Sequence, residues 1–216
     1  MIIAVEGIDG SGKSTLARGL AAKIPNAIAV RELSSTALGR AVSGWVSEHD
    51  ITKDRESAKE ALERIHAARL SAIRQIVLPH IRRGGLVIYD RFALTTAVYQ
   101  AFKPEWELKS YIQRLYTEIL SMPEIRIRTT VLLSVSPEKA QVRIGGRDAA
   151  LTDVNDQKGI SYLSDLSERY FQAIREVPSE LVGNLMLVDA DKKQDEVLAT
   201  TLRELQHIGI LCYNHI

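Results

Sequence analysis

The sequence predicts an α/β fold in which helices cover both faces of one five-stranded parallel sheet. Two observations lead to this prediction: five short apolar runs recur along the chain, and long segments with helical periodicity separate them. Strands that alternate with helices are typical of parallel sheets, because each connection must return to the same end of the sheet. A third observation, a glycine-rich break after the first run, indicates what the fold holds.

The five predicted strands are rich in Val, Ile and Leu, and none alternates cleanly between apolar and polar residues. Uniformly apolar runs of this kind suit strands that are buried on both faces of the sheet. The runs are Ile2–Val5, Ala27–Val30, Leu86–Tyr89, Thr130–Val135 and Leu185–Val188.

Eight helices are expected from apolar residues that recur at spacings of three and four. For the longest one, Asp54 is a candidate N-cap and Gly84 with Gly85 a candidate stop, while Pro79 predicts a kink or break near its end. The expected segments are Lys13–Ile24, Thr36–Glu48, Asp54–Arg83, Phe92–Phe102, Glu105–Ser121, Pro137–Ile144, Gly159–Val177 and Lys192–His207.

Composition narrows the classes of protein that this chain can be. With 216 residues and 45% hydrophobic content, it is long enough for one domain over residues 1–216 with a substantial core. Lys plus Arg is 28 and Asp plus Glu is 27, so no whole-molecule field attracts nucleic acid or an anionic membrane. The single cysteine, Cys212, forms no internal disulfide, and no run approaches the roughly 18 apolar residues of a membrane span. We therefore expect a cytoplasmic protein.

The break after the first predicted strand satisfies the pattern G-x-x-x-x-G-K-[ST]. In such a loop, glycines let backbone N–H groups turn toward phosphate oxygens, the lysine reaches the β- and γ-phosphates, and the hydroxyl binds Mg²⁺. Because the pattern stands between a buried strand and a helix, it predicts a P-loop fold with three α/β/α layers that holds a nucleoside triphosphate. The alternative is a glycine-rich turn without a ligand. The loop residues are Gly7, Asp9, Gly10, Ser11, Gly12, Lys13, Ser14 and Thr15.

A second candidate site element is the carboxylate at the end of the third strand. Asp90 follows Leu86–Tyr89, and the carboxyl ends of parallel strands meet at one edge of a sheet, so Asp90 is expected beside the phosphate loop as a holder of water or Mg²⁺. The alternative is an N-cap of the next helix. Arg91 follows it, and an arginine here suggests a grip on a second phosphate. No Asn-Lys-x-Asp motif occurs, so the loop is more typical of a transferase than of a GTPase switch.

The longest predicted helix carries an unexpected charge. Arg69 falls in the middle of the apolar stripe that Ile65, Ala68, Ala72, Ile73 and Ile76 form. A guanidinium on a buried face needs a partner, because an unpaired buried charge is costly. That partner is either a structural carboxylate or an anionic substrate.

The least regular stretch of the chain is Gly145–Asp156, which combines glycines, charges and little apolar periodicity. It is either an ordinary surface loop or a lid that closes over a substrate. A lid would span about residues 143–157.

These motifs together resemble the thymidylate kinase family of nucleoside monophosphate kinases over nearly the whole chain. The family opening EG-[hydrophobic]-[D/E]-G-[A/S]-GK-[ST]-T matches Glu6–Thr15, and its "DR[YHF]" signature matches DRFALTTAVYQ, residues 90–100. VSPEKAQVRI at 135–144, VDA at 188–190 and RELSST at 31–36 are similar to three further family segments. Only the phosphate loop is specific by itself; the order and spacing of all five segments make the case.

The resemblance implies a role for each matching residue. Lys13, Ser14 and the loop amides would hold ATP·Mg²⁺ together with Asp90, and Asp9 would approach the acceptor sugar or the metal. Arg91 would hold the phosphate of a nucleotide acceptor and Arg69 the edge of its base. The catalytic arginine would come from the lid, Arg147 first and then Arg143. Further residues expected around the acceptor are Arg31, Thr95, Thr96, Tyr99 and Gln100.

Three departures from the family pattern concern the acceptor. The aromatic residue that stacks on thymine should fall at Ile65, the proline of the acceptor segment is replaced by Leu33, and Val154 and Asn155 stand where other lids keep a basic residue. The resemblance therefore implies the reaction class more firmly than the acceptor, and a modified pyrimidine nucleotide is a further possibility.

Three functions follow from the sequence. The first is ATP-dependent phosphorylation of a deoxynucleoside monophosphate that resembles dTMP, by a protein that is a homodimer like the family. The second is a kinase for a hydroxyl of a nucleoside, a modified DNA base or another small molecule. The third is a nucleotide-binding module without phosphoryl transfer. Arg91 and Arg69 favour the first, because two arginines directed at the acceptor are superfluous if it carries no phosphate.

Overall fold

The computed structural model describes residues 1–51, 53–101, 105–146 and 158–211. Five parallel strands form one sheet in the order β2-β3-β1-β4-β5, and helices flank it. The predicted fold is confirmed, and each predicted strand is present within a few residues. The strands are β1 (Ile2–Gly7), β2 (Ala27–Arg31), β3 (Leu86–Asp90), β4 (Ile127–Ser134) and β5 (Asn184–Asp189).

All eight predicted helices are present, and one short helix was not predicted. The helices are α1 (Lys13–Lys23), α2 (Ala37–Glu48), α3 (Arg55–Ala72), α4 (Leu78–Arg82), α5 (Ala93–Thr96), α6 (Glu105–Leu115), α7 (Pro137–Gly145), α8 (Gly159–Glu176), α9 (Ser179–Val182) and α10 (Gln194–His207). The unpredicted helix is α9, which is too short to show a helical period. None of the helices in the described ranges is both long and apolar enough to cross a membrane.

The longest predicted helix is α3 and α4 joined by a π-helical turn at Ile73–Val77. The turn ends two residues before Pro79, which has no N–H and interrupts the regular hydrogen-bond pattern of the helix. The Asp54 side chain accepts from the Ser57 N–H at 2.8 Å, so the predicted N-cap is confirmed. Gly84 follows the last turn with a φ of 78°, a conformation that glycine adopts at low cost.

The burial predicted for the strands is correct in the centre of the sheet and wrong at its edges. Every residue of β1 and β3 is buried. In β5, however, Leu185 and Leu187 are 45% and 56% exposed, and β2 also has an exposed residue in its centre. Both strands lie at the ends of the strand order, where a neighbour is present on one side only.

A second, smaller apolar cluster lies between α2 and α3, apart from the main core. Its buried members are Val42, Ile51, Ala61, Ile65 and Ala68. Ile65, the position of the family's base-stacking ring, is therefore a core residue that is only 4% exposed. This cluster fixes α2, and with it the segment after β2, against α3.

The register of the sheet brings the predicted site elements together. Val5 of β1 pairs with Asp90 of β3, so the phosphate loop and the Asp90–Arg91 turn leave the sheet side by side at its carboxyl edge. Arg31 of β2 pairs with Asp90 from the other side. The loops that follow β1, β2 and β3 are far apart in the sequence, but they border the same crevice, as expected for an open parallel sheet.

The segment that leads into α2 is held by an N-cap. Thr36 is buried, and its hydroxyl accepts from the Gly39 N–H at 3.0 Å. Because removal of such a cap leaves a backbone donor unsatisfied, we expect Thr36→Ala to lower the free energy of unfolding by about 1 kcal/mol. Urea denaturation measures the change. Thr36→Ser keeps the hydroxyl and should retain most of the stability; an equal loss in both variants would contradict the capping role.

Candidate active site

The phosphate loop has the backbone that its glycines predict. Gly7, Gly10 and Gly12 have φ angles of 143°, 77° and 93°, all in a region that side chains with a Cβ rarely adopt. Gly12 directly precedes α1 in a left-handed conformation, so the free N–H groups of the first helical turn face the loop. A loop of this form is a preformed anion site at the positive end of a helix dipole.

Lys13 begins α1 and bends back over the loop. Its Nζ donates to the Ile8 carbonyl at 2.6 Å and to Ser11 Oγ at 3.3 Å. Burial, and after it the nearby positive charge of Arg91, lowers the pKa of the Lys13 ammonium to about 7, although the neighbouring carboxylates oppose the shift. The charged form therefore lacks a strong anionic partner in the free protein, which phosphate oxygens would provide.

Ser14 and Asp90 meet across the crevice. Ser14 Oγ donates to Asp90 Oδ2 at 2.5 Å, whereas Asp90 Oδ1 is buried and has no hydrogen-bond partner within the described ranges. The alternative of Asp90 as a helix N-cap is therefore wrong. No cluster of three or more His, Cys, Asp or Glu side chains forms a metal site among the residues that the structure describes. One carboxylate and one hydroxyl nevertheless fit Mg²⁺, which commonly keeps its waters and substrate phosphates as the other ligands.

Arg91 has a strained backbone and a fixed side chain. Its φ of 68° is left-handed, which costs a residue with a Cβ about 1–2 kcal/mol. Its guanidinium forms an ion pair with Asp9 of the phosphate loop and lies 5.5 Å from the centre of the Tyr99 ring. The Tyr99 hydroxyl donates to the second oxygen of Asp9 at 2.7 Å. This cluster places a cation beside the phosphate loop.

Glu6 is a site residue that sequence reasoning missed. It is fully buried at the end of β1, and its Oε1 accepts from the backbone N–H groups of Phe92, Leu94 and Thr95 at 3.0, 3.0 and 3.2 Å. Burial raises the pKa of the Glu6 carboxyl, and the donors that face it oppose the shift. The available signal was a carboxylate in an otherwise apolar strand, which needs a partner as much as Arg69 does.

Arg69 has a structural carboxylate as its partner, one of the two alternatives that the sequence left open. Its Nε donates to Glu32 Oε1 at 2.5 Å, and its side chain is completely buried. Nη2 donates to Thr96 Oγ1 at 2.5 Å and to the Phe92 carbonyl at 3.2 Å, and Nη1 donates to the Tyr111 hydroxyl. The role that the resemblance implies for Arg69, contact with the base, is not what this geometry favours.

A cavity of about 240 Å³ lies on the other side of the phosphate loop, between α1 and the connection from β5 to α10. Leu16, Val197 and Leu198 give it an apolar wall. Arg143 also lines the cavity and donates to the Ala190 carbonyl at 2.9 Å and to the Gly10 carbonyl at 3.4 Å. A flat apolar group attached to a phosphate chain in the loop would reach this cavity.

A family model described as thymidylate kinase matches residues 5–200. The chain belongs to the thymidylate kinase family. The family, the fold and the reaction class predicted from the sequence, a nucleoside monophosphate kinase, are thereby confirmed.

Relatives in this family match more than nine tenths of the chain. A probable thymidylate kinase of Pyrobaculum aerophilum is 28% identical over 95% of this chain and 96% of its own length. A thymidylate kinase of Legionella pneumophila is 27% identical over 91% and 89%, and one of an Exiguobacterium species is 27% identical over 97% and 98%. The likeness therefore includes the helices around the acceptor side as well as the phosphate loop.

The residues that the thymidylate kinase resemblance places around the acceptor differ in their surroundings. Thr95 is bonded to Glu6, and Thr96 to Arg69. Gln100 is buried, and its Oε1 has no hydrogen-bond partner in the part of the chain described. Arg31 has a side chain that is 61% exposed, 3.9 Å from Asp90 Oδ2. Arg147 and most of the predicted lid lie outside the described residues.

Proposed function

We propose that the protein transfers the γ-phosphoryl group of ATP to the phosphate of a deoxynucleoside monophosphate, dTMP or a related pyrimidine nucleotide. The observation that carries this proposal is Arg91, a cation that Asp9 and Tyr99 hold beside the phosphate loop. Two anions can bind next to each other only where cations separate them. The loop serves one anion and Arg91 the other.

The donor ATP would bind with its phosphates in the loop and its base in the cavity beside α10. The backbone N–H groups up to Thr15 and the ammonium of Lys13 would face the phosphates, and Leu16 and Val197 offer an apolar wall for the base. Asp90 and Ser14 would hold Mg²⁺, which neutralises charge on the phosphates. The buried, unpaired Asp90 Oδ1 supports this assignment, because a metal or its water satisfies that oxygen.

The acceptor would bind at the other end of the crevice. Arg91 holds its phosphate, and the exposed side chain of Arg31 is free to swing toward the same anion. The protein would accelerate the transfer by positioning the two substrates and stabilising charge, and not by covalent catalysis. Arg143 already touches the loop, and together with Arg147 it would stabilise the charge that develops during in-line transfer, within one kinase domain whose lid is about residues 143–157.

A phosphate acceptor fits the crevice better than a hydroxyl acceptor does. Transfer to a hydroxyl needs a general base, whereas an ionised phosphate attacks without one. Each carboxylate that the structure describes around this crevice accepts hydrogen bonds from protein groups, and the unpartnered Oδ1 of Asp90 is the oxygen that we assign to Mg²⁺ or its water. These carboxylates are Glu6, Asp9, Glu32 and Asp90.

A panel of acceptors tests the proposal. Purified protein with ATP and Mg²⁺ is offered natural and modified nucleoside monophosphates and the corresponding nucleosides, and products are separated by ion-exchange chromatography. We expect a nucleoside diphosphate from at least one pyrimidine deoxynucleotide and no product from nucleosides. Consumption of ATP that is indifferent to every monophosphate would contradict the proposal, and ATP binding without any product would favour a regulatory nucleotide-binding module.

Binding of ATP should depend on pH through Lys13. Its pKa is about 7 in the free protein, so at pH 8 most molecules carry the neutral amine, whereas bound phosphates favour the ammonium. We expect ATP binding at pH 8 to take up close to one proton and the affinity to fall as the pH rises from 7 to 9. Calorimetry in two buffers of different ionisation enthalpy counts the protons. Release of protons, or equal uptake by Lys13→Ala, would contradict the assignment.

The family resemblance also supports a homodimer and a cytoplasmic location, which stay predictions. Light scattering during gel filtration should show a particle of twice the mass of one chain. A monomer at micromolar concentration would contradict the predicted dimer.

A further inference from the structure

We propose that helix α7 fixes the distance between the phosphate loop and the donor-base cavity, and that Asp191 is the positioning residue that holds α7 in place. The donor-base cavity is the cavity of about 240 Å³ beside α10. The meaning of this distance rests on the proposed function, in which one ATP molecule occupies both the loop and the cavity. The contacts of α7 do not depend on it.

The first contact of α7 is with the phosphate loop. A Cβ placed on Gly10 would lie only 2.4 Å from the carbonyl oxygen of Ala140, so the loop backbone lies directly against the backbone of the helix. Ala140 and Ile144 are both buried, and their spacing of four residues puts them on one apolar face of α7. A shift of the helix toward the loop would cause a clash, whereas a shift away would expose this face.

The second contact of α7 is with the connection from β5 to α10, which borders the donor-base cavity. At the start of the helix, Asp191 Oδ1 accepts from the backbone N–H and from the hydroxyl of Ser136, both at 3.0 Å. Further along, Lys139 donates to the Asp191 carbonyl, and Arg143 Nη2 donates to the Ala190 carbonyl at 2.9 Å. The spacings of three and four residues place these donors on one face of α7, which thus bonds to two consecutive residues of the connection.

Asp191 contributes an ionised acceptor to this attachment. The Ser136 N–H holds the pKa of the Asp191 carboxyl below its usual value, and the charges of Lys139 and Arg143 act in the same direction, although partial burial opposes them. Hydrogen bonds to an ionised acceptor are stronger than those between neutral groups. The Asp191 N–H also donates to Asp189 Oδ1 at 3.0 Å, which fixes the direction of the chain as it leaves β5.

Arg143 joins the two contacts of α7. Its guanidinium donates to the Ala190 carbonyl and, at 3.4 Å, to the Gly10 carbonyl of the phosphate loop, and it lines the donor-base cavity. The base and the triphosphate of one donor can both contribute to its affinity only if their two subsites are held at a matching distance. Through Asp191 and Arg143, α7 sets that distance before the donor binds.

Binding of ATP and of inorganic tripolyphosphate, each with Mg²⁺, tests the proposal by calorimetry. Tripolyphosphate fills the phosphate loop without a base, so the ratio of the two affinities measures the contribution of the base. For Asp191→Ala, we expect the affinity for ATP to fall at least about tenfold, and the affinity for tripolyphosphate to stay within about twofold of wild type. A variant that is merely less stable would not change this ratio.

Two further variants examine the route through α7. Asp191→Asn keeps an oxygen that accepts from Ser136, so its affinity for ATP should stay within about twofold of wild type. Ser136→Ala removes one donor to Asp191 from the α7 side, and we expect it to weaken ATP at least about threefold with tripolyphosphate unchanged.

Asp54→Ala is the matched control for lost stability. Asp54 likewise accepts from a backbone N–H at the start of a helix, that of Ser57 at 2.8 Å, but it caps α3 and not α7. We expect this variant to lower Tm without changing either affinity.

Four results would overturn the proposal. They are an unchanged affinity of Asp191→Ala for ATP, an equal loss for ATP and tripolyphosphate in that variant, and wild-type protein that binds ATP no more tightly than tripolyphosphate. The fourth is unchanged ATP binding by Ser136→Ala, which would show that Asp191 touches the donor and does not act through α7. None of these measurements needs an acceptor. If wild-type protein phosphorylates no nucleotide, the proposed function fails, and the binding data still decide the role of α7.

Discussion

Lys13→Ala should reduce phosphoryl transfer by about 10²–10³-fold, because it removes a preorganised cation from the place where the γ-phosphate develops charge. The side chain is 5% exposed and bends back over the loop toward Ile8 and Ser11, so no neighbouring residue can take its place without a change of backbone. Steady-state kinetics with saturating ATP measures the loss in kcat. ATP binding should weaken as well, since the loop keeps its amides but loses its charge.

Lys23→Ala is the control for this variant. Lys23 is exposed in the last turn of the same helix and carries the same charge, so its loss changes the net charge of the protein equally. We expect it to keep full activity and a similar Tm. Unchanged activity of the Lys13→Ala variant would contradict a role of the phosphate loop in the reaction.

Arg91→Ala and Arg91→Gly should separate the function of the side chain from the strain of its backbone. Truncation of one partner of a close charge pair typically costs about 2–5 kcal/mol, so both variants should lose at least about 30-fold in kcat/KM for the acceptor. ATP affinity should change little, because Arg91 faces the other anion. Acceptor saturation curves at fixed ATP measure the effect.

The two variants should differ in stability. At a φ of 68°, alanine keeps the steric cost of a Cβ, whereas glycine does not, although glycine loses more chain entropy on folding. We expect Arg91→Gly to be more stable than Arg91→Ala by about 0.5–1 kcal/mol in urea denaturation. Equal stability would show that the turn relaxes when the arginine is removed. Retained acceptor affinity in both variants would contradict the grip on a phosphate.

Local features of the chain were predictable. Gly7, Gly10 and Gly12 mark the phosphate loop because positive φ angles cost little only for glycine. The uniformly apolar runs mark strands because successive side chains point to opposite faces of the sheet, and both faces are covered. The π-helical turns at Ile73–Val77, Ala97–Ala101 and Tyr116–Leu120 were not predictable. One extra residue in a turn changes the helical period too little to show in a short apolar pattern.

The sequence predicted that the buried Arg69 has a partner, but it did not predict which residue that partner is. The position of Arg69 in an apolar stripe required a partner, yet Glu32, 37 residues away, stood among several carboxylates in the sequence. The pairing of Arg91 with Asp9 spans 82 residues. The exposure of Leu185 and Leu187 likewise depended on strand order, because the same apolar run suits a central strand or an edge strand.

The sequence by itself predicted a strand, a glycine loop and a helix in the form of a phosphate loop, placed Asp90 and Arg91 at the end of the third strand, and indicated the kinase family. Only the tertiary structure decided that Glu6 accepts from the N–H groups after Arg91, that Arg69 pairs with Glu32, and that Ile65 is part of a core. The two kinds of feature differ because they depend on contacts over different distances along the chain. Backbone sterics act between neighbours in sequence, whereas the partner of a buried charge is the group that folding brings within hydrogen-bond distance, wherever it stands in the chain.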